Sequence, residues 1–259
     1  PMKWFKIIGI FLAIVLVVPV FLLIYMGFFV FRSPQAFSTQ FMSAVELSLV
    51  SSATAAIVDF ALFTPLAYYI SRFNDFFTDS LVDIPASIPH PVVGIALVFL
   101  DSPYTPIGKF LLSLGINFFD SYTGLVAALV IVSAPIFIRS MKNFFDSMPR
   151  IYEEYARSLG GGTGRIFLRV VLRNSFRGII SSSLISMSRA MSEFGSIAII
   201  AYYVLSGPFA GVSPASILIY EWYGYYGTDV AVTASAIMIV IGIIVLTTIR
   251  ILQYKTKNI

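Results

Sequence analysis

Cysteine is absent from this sequence, histidine occurs once and charge is scarce. Without Cys there is no disulfide framework and no thiolate metal site. The single His90 excludes a multi-histidine metal cluster within one chain. Only 12% of the 259 residues are charged, whereas a soluble domain coats its surface with roughly a quarter. The glycines between Gly160 and Gly164 are not followed by Lys and Ser or Thr, so a phosphate-binding loop is lacking and ATP is not held in that way. There is also no Gly-x-Ser-x-Gly run and no apparent Ser/His/Asp set. An intramembrane enzyme is disfavoured on these grounds, and no nucleic-acid partner, metal or cofactor of the chain's own is expected.

What is present is apolar. Hydrophobic residues make up 58% of the chain, with 24 Phe and 14 Tyr, and the mean hydropathy is +0.89. The apolar residues are gathered in blocks long enough for a bilayer crossing, which takes about 20 helical residues. The expected fold class is therefore an all-α polytopic membrane protein. Six segments stand out, near 4–31, 44–70, 84–100, 122–138, 179–205 and 230–252. The first is longer than the apolar region of a signal peptide and has no small-x-small cleavage site, so it is expected to be a permanent span. Segment 106–119 is less hydrophobic and is expected to lie at the surface. Segment 207–227 is rich in Gly, Pro and Tyr.

Basic residues set the expected orientation. With the N-terminus inside, the inner segments carry Lys3, Lys6, Arg72, eight residues from Arg139 to Arg177, then Arg250, Lys255 and Lys257. Only Arg32 and Lys109 fall in outer loops. This bias predicts an even number of crossings with both termini cytoplasmic. The chain is expected to form one transmembrane domain over 1–259, with a long cytoplasmic loop at about 139–178, far longer than ordinary helix connections.

Within that loop Ile151, Tyr155 and Leu159 recur at helical spacing beside Glu153, Glu154, Arg157 and Ser158. Glycines from Gly160 onward end the helix, since Gly readily takes the left-handed conformation past a C-terminus. A short helix, a turn and a second helix make a knob suited to a partner's groove; an interfacial helix lying on the membrane is the alternative. Arg165, Arg169, Arg173 and Arg177 follow at four-residue intervals, a basic stripe suited to anionic lipid headgroups or to an acidic protein surface.

The run Glu154-Tyr155-Ala156, three residues, then Gly160 resembles the Glu-Ala-Ala signature of ABC-importer permeases, with Val170, Val171 and Leu172 at the place of its second half. Tyr155 replaces an Ala of that signature, and Arg173 its Pro, which predicts a helix that continues where relatives kink. Further stretches are similar to the molybdate, tungstate and sulfate branch, closest to tungstate and molybdate permeases. These are Thr64 to Tyr68, the proline-rich Ile84 to Gly94, Ile217 to Glu221, and above all Arg189-Ala190-Met191-Ser192-Glu193-Phe194-Gly195.

The resemblance implies a type I importer permease moving an oxyanion by alternating access. The implied setting is the cell membrane, with a second permease copy, two cytoplasmic ATPase subunits that hold ATP and Mg, and an extracellular or periplasmic oxyanion-binding protein. It implies that Glu153, Glu154, Tyr155, Ala156, Arg157, Ser158, Leu159 and Gly160 dock the ATPase. A sulfate or thiosulfate permease is the nearest alternative, and an ion-gradient-driven transporter a more distant one.

Path and gate candidates are Pro89, His90, Arg189, Ser192 and Glu193. Arg189 falls about 16 Å beyond Gly178 along a helix, where a charge must find a partner. It is either half of a structural pair, with Glu193 four residues on or with a partner on another helix, or a guanidinium offered to a passing anion. His90, between Pro89 and Pro91, is expected to be extended or kinked and to hydrogen-bond within the bundle, with pH sensing as the alternative. Asp59, mid-segment, is expected to be a packing residue held by hydrogen bonds rather than a proton relay.

Overall fold

The computed structural model describes residues 2–257. Pro1, Asn258 and Ile259 lie outside the described residues, as do the side chains of Lys255 and Lys257. Among the described residues the chain is helical throughout; its only β pairing is an isolated antiparallel bridge between Val204 and Val212. Helix α1 (Met2–Tyr25) runs on as a π-helical turn, Met26–Phe31. Helices α2 (Thr39–Phe73), α3 (Phe76–Ser87), α4 (His90–Leu100), α5 (Pro106–Ser113) and α6 (Tyr122–Ser147) follow. After α6 come α7 (Ile151–Ser158), α8 (Thr163–Ile166), a π turn (Phe167–Val171) and α9 (Leu172–Asn174). The chain closes with α10 (Phe176–Met191), α11 (Ile197–Ile200), α12 (Ala215–Tyr226) and α13 (Thr228–Lys257).

The core is the trio α2, α6 and α10. Small residues let these helices approach. Gly178, Ser182, Ser186 and Ala190 are buried at four-residue intervals along α10, the small-residue stripe that lets backbones come close where water provides no driving force. Ala44, Ser48, Ser51, Ser52, Ala55 and Asp59 form the matching buried stripe of α2. Hydroxyls of these helices also bond between them: Thr54 Oγ1 meets Tyr122 Oη at 2.8 Å, and Ser182 Oγ meets Ser140 Oγ at 2.8 Å. A second layer packs α13 against α1, its π turn and α12. Gly27 is required there, because a Cβ on it would stand 2.5 Å from Ala236 Cβ.

Four stretches are long and apolar enough to cross a membrane: Lys3–Phe31, Thr39–Phe73, Tyr122–Ser147 and Thr228–Thr248. The most apolar part of the first is unburied within the chain, as a lipid-facing helix would be, while Gly27 near its end is buried. Two expected spans are not continuous helices. Segment 84–100 breaks between α3 and α4, which meet at 104°. The cause is local: Ile88 precedes Pro89 and is extended (φ −101°, ψ 150°), as the residue before a proline tends to be. Segment 179–205 likewise breaks after Met191, where Ser192 caps α10, and only four residues of helix, α11, follow. The surface segment 106–119 contains α5, and 207–227 contains α12.

Candidate functional site

The two breaks lie against each other. Helix α4 seats on the turn between α10 and α11 because two glycines leave room. A Cβ on Gly94 would come 2.4 Å from Ser196 O, and one on Gly195 would come 3.0 Å from Pro91 Cδ. His90, expected to lie in extended or kinked chain, instead opens α4; Pro89 is its N-cap and Pro91 sits in its first turn, where a missing N–H costs nothing. That position carries the imidazole across to α10.

The result is a compact polar knot. Glu193 is 1% exposed. Its Oε1 accepts from Ser196 N (2.8 Å) and Ser196 Oγ (2.9 Å), and its Oε2 lies 3.2 Å from Arg189 Nη2 and 2.9 Å from His90 Nδ1. Arg189 Nη1 donates to Ser192 Oγ at 3.2 Å, and Nη2 lies 3.0 Å from His90 Nε2. A guanidinium only donates, so the neutral tautomer that fits has His90 Nδ1–H donating to Glu193 and Nε2 accepting from Arg189. Ser216 Oγ, from α12, donates to the Glu193 carbonyl at 2.9 Å.

The structure thus brings together Arg189, Ser192, Glu193 and His90, while Pro89 stays exposed at the α3–α4 break. Arg189 forms the pair with Glu193 and its side chain is 23% exposed. Reasoning from sequence alone missed Ser196 and Ser216; the only signal for Ser196 was its place three residues after Glu193. Asp59 is fully buried between the core helices, and its Oδ2 accepts from Ser133 Oγ at 2.7 Å and from Ser186 Oγ. These bonds satisfy one oxygen of the carboxyl group; the other, Oδ1, is buried with no hydrogen-bond partner among the described residues.

The second constellation is the elbow formed by α7, the glycine turn and α8. Gly160 has φ +81°, the left-handed conformation that ends α7. Past the turn, helical structure persists through Arg173 to Asn174 and is interrupted at Ser175. Ile151, Tyr152, Glu154, Tyr155, Arg157, Ser158 and Leu159 are exposed, Leu159 at 87%. Ala156 is half-buried and Glu153 fully buried. Glu153 therefore does not share the outward face with the rest of the expected docking set. It is turned inward because Arg72, also buried, holds it at 2.7 Å, with Tyr68 Oη at 2.6 Å. Burial pushes the Glu153 carboxyl up, but the bonds from Arg72 and Tyr68 and the Arg72 charge outweigh it and hold the group below the usual carboxylate range. A polar hollow of about 420 Å³ opens beside this pair, lined by Arg72, Arg150, Glu154, Arg157 and Thr163 among others.

Arg165, Arg169, Arg173 and Arg177 are all exposed. In an unbroken α-helix twelve residues would turn Arg177 about 120° away from Arg165. The π turn at Phe167–Val171 accommodates roughly one extra residue and offsets much of that drift across its own length. Exposed Leu168 and Phe176 flank these arginines.

This helical fold is shared with chains of solved ABC transporters. The permease-containing structure of a bacterial alginate ABC transporter superposes with a TM-score of 0.70 at 16% identity, covering 96% of this chain and 92% of that one. The MetNI methionine ABC transporter in an inward-facing conformation gives 0.56 at 17% identity, covering 85% and 94%. Residues 60–256 match the family described as binding-protein-dependent transport system inner membrane component, and the chain belongs to that family. Among its relatives, the molybdate/tungstate transport system permease protein WtpB of Thermococcus kodakarensis is 33% identical over 202 residues, 76% of this chain and 73% of that protein. WtpB of Pyrococcus furiosus is 29% identical over 221 residues, covering 84% and 80%. The sulfate transport system permease protein CysT of Synechocystis is 27% identical over 215 residues, covering 82% and 74%.

Proposed function

We propose that this chain is the permease subunit through which an ABC importer carries molybdate or tungstate into the cell. The observation that carries the substrate class is the 33% identity, across about three quarters of both chains, to a permease bearing that name. In this reading two copies surround a central path, with six crossings each and both termini in the cytoplasm. Two ATPase chains hold ATP and Mg beneath them, and an external binding protein delivers the anion. This chain hydrolyses nothing.

The outward face of α7, with Glu154, Tyr155, Arg157 and Leu159, docks the ATPase. Its exposed aromatic and aliphatic side chains around a few charges suit a helix laid in a groove. Closure of the ATPase pair moves the elbow, and the bundle rearranges between outward and inward openings.

The knot of His90, Arg189, Ser192 and Glu193 is the gate. With the path shut, the Glu193 carboxylate occupies the guanidinium; when α4 and α10 part, an oxyanion takes its place on Arg189, with Ser192 Oγ as a further donor. The arginine stripe rests on anionic lipid headgroups, with Leu168 and Phe176 dipping toward the acyl boundary.

The test is reconstitution with the cognate ATPase and binding protein in vesicles supplied with molybdate, tungstate or sulfate. Stimulation of ATP hydrolysis and uptake by the molybdate- or tungstate-loaded binding protein supports the proposal. A response to sulfate alone reassigns the substrate, and uptake that persists without the ATPase replaces the mechanism with a gradient-driven one.

A further inference from the structure

We propose that the Arg72–Glu153 ion pair is the linkage through which motion of the elbow is delivered to the helix bundle, an inference that rests on the reading of the chain as an ATP-driven permease. Helix α7 is only eight residues long and shows most of its surface to the outside. Just two of its side chains face the rest of the chain: Ala156, which offers a methyl group, and Glu153. Apart from the short backbone link to α6 and the Ala156 methyl, that carboxylate is the contact through which a push on α7 reaches the bundle.

The attachment is fully committed. Glu153 Oε1 accepts from Arg72 Nε at 2.9 Å and Nη2 at 2.7 Å, and Oε2 accepts from Tyr68 Oη at 2.6 Å. The remaining guanidinium nitrogen, Arg72 Nη1, donates to the Phe145 carbonyl at 2.8 Å and to Ser71 Oγ at 3.1 Å. Ser71 Oγ in turn donates to Asp146 Oδ1 at 2.6 Å. One arginine therefore ties α7 to the ends of both α2 and α6, two of the three core helices. The Tyr68 ring adds the other limb of the elbow: it packs on Phe145 at 5.5 Å and on Phe167, beyond the glycine turn, at 5.1 Å between centroids. Pro65 interrupts the α2 hydrogen-bond ladder one turn before Tyr68, which gives the end of α2 a place to flex.

Stability alone does not account for this arrangement. A buried ion pair gains little over well-packed apolar side chains of the same volume. Its distinguishing property is direction: hydrogen bonds radiating from one planar guanidinium resist being pulled, pushed or twisted, whereas an apolar contact slides. A linkage between a moving knob and two helices needs that property.

The experiment compares the wild-type complex with Arg72→Gln, Arg72→Lys and Tyr68→Phe, each reconstituted with ATPase and binding protein. Anion uptake and ATP hydrolysis are measured on the same vesicles. The expected result for Arg72→Gln is an ATPase that still co-purifies and hydrolyses ATP within about twofold of wild type, with at least a tenfold fall in anions moved per ATP. Arg72→Lys, which keeps the charge but reaches fewer partners, recovers part of that ratio. Tyr68→Phe keeps the ring and loses one hydrogen bond, so it falls between wild type and Arg72→Gln; it decides the matter if Arg72→Gln fails to assemble. An unchanged ratio in Tyr68→Phe and Arg72→Gln overturns the proposal. So does a proportional fall of uptake and hydrolysis with loss of the ATPase, which marks the pair as a structural seat only. Failure of the permease reading itself is seen separately, as wild-type uptake that does not depend on the ATPase.

Discussion

Replacing Glu193 by Ala tests the polar knot most directly. The wild-type carboxylate, 1% exposed, takes two bonds from Ser196 and contacts from Arg189 and His90. Its removal leaves the Arg189 guanidinium within the bundle with Ser192 and His90 as its remaining partners, and removes the acceptor for the Ser196 N–H. Breaking one side of a buried charge pair costs about 3–5 kcal/mol. For a chain of this size that corresponds to a fall in melting temperature of roughly 6–20 °C. Arg189→Ala is no milder: Glu193 keeps three of its four donors but is left as a buried carboxylate without its cationic partner, so a cost of the same order, about 3–5 kcal/mol, is expected. The double variant removes both charges together and should cost less than the sum of the single changes by more than about 1 kcal/mol. Thermal unfolding of the detergent-solubilised protein, followed by circular dichroism, supplies all four corners of the cycle. Additivity within about 0.5 kcal/mol refutes the knot as an interacting unit. Anion uptake then separates its two roles: if Arg189 receives the anion, Arg189→Lys retains most of the stability yet loses at least tenfold in uptake, since Lys lacks the planar fork.

Other outcomes follow from single features. Gly160→Val places a β-branched residue at φ +81° with nothing within 4 Å of its Cβ, so the cost of roughly 1–2 kcal/mol is purely conformational. It should redirect the elbow and abolish ATPase-driven uptake while the chain still inserts. Gly27→Leu drives a side chain into Ala236 and should loosen α1 from α13, lowering the melting temperature by several degrees through overpacking of about 1–3 kcal/mol. Asp59→Asn keeps an acceptor for Ser133 and Ser186; uptake and its dependence on external pH should match wild type, and a lost or pH-shifted uptake reveals a proton relay instead. The Glu153 carboxyl lies below its ordinary value of 4.5. Its contribution to stability is therefore complete above that value and lost as pH falls through the lowered one. Arg72→Gln, which lacks the pair, should show a shallower acid destabilisation in melting curves taken from pH 6 downward.

Much of this was legible in the chain itself. Apolar block lengths announce membrane helices, and the elbow is visible because helical spacing at Ile151, Tyr155 and Leu159 gives way to glycines, the last residues able to continue a helix cheaply. The pairing of Arg189 with Glu193 could be read from a four-residue interval, since helix geometry puts such residues on one face. These features are local and obey the short-range rules of a single helix.

The remainder was decided by packing over long sequence separations. Hydropathy marks 84–100 and 179–205 as continuous apolar runs, yet both break, and the breaks abut because Gly94 and Gly195 leave space that no local pattern declares. His90 reaches Glu193 across 103 positions only through that contact. Glu153 and Glu154 are indistinguishable neighbours in the sequence. One is buried against Arg72 and the other exposed, because α7 lies on the bundle along a single line of approach and 100° of helical rotation separates adjacent side chains.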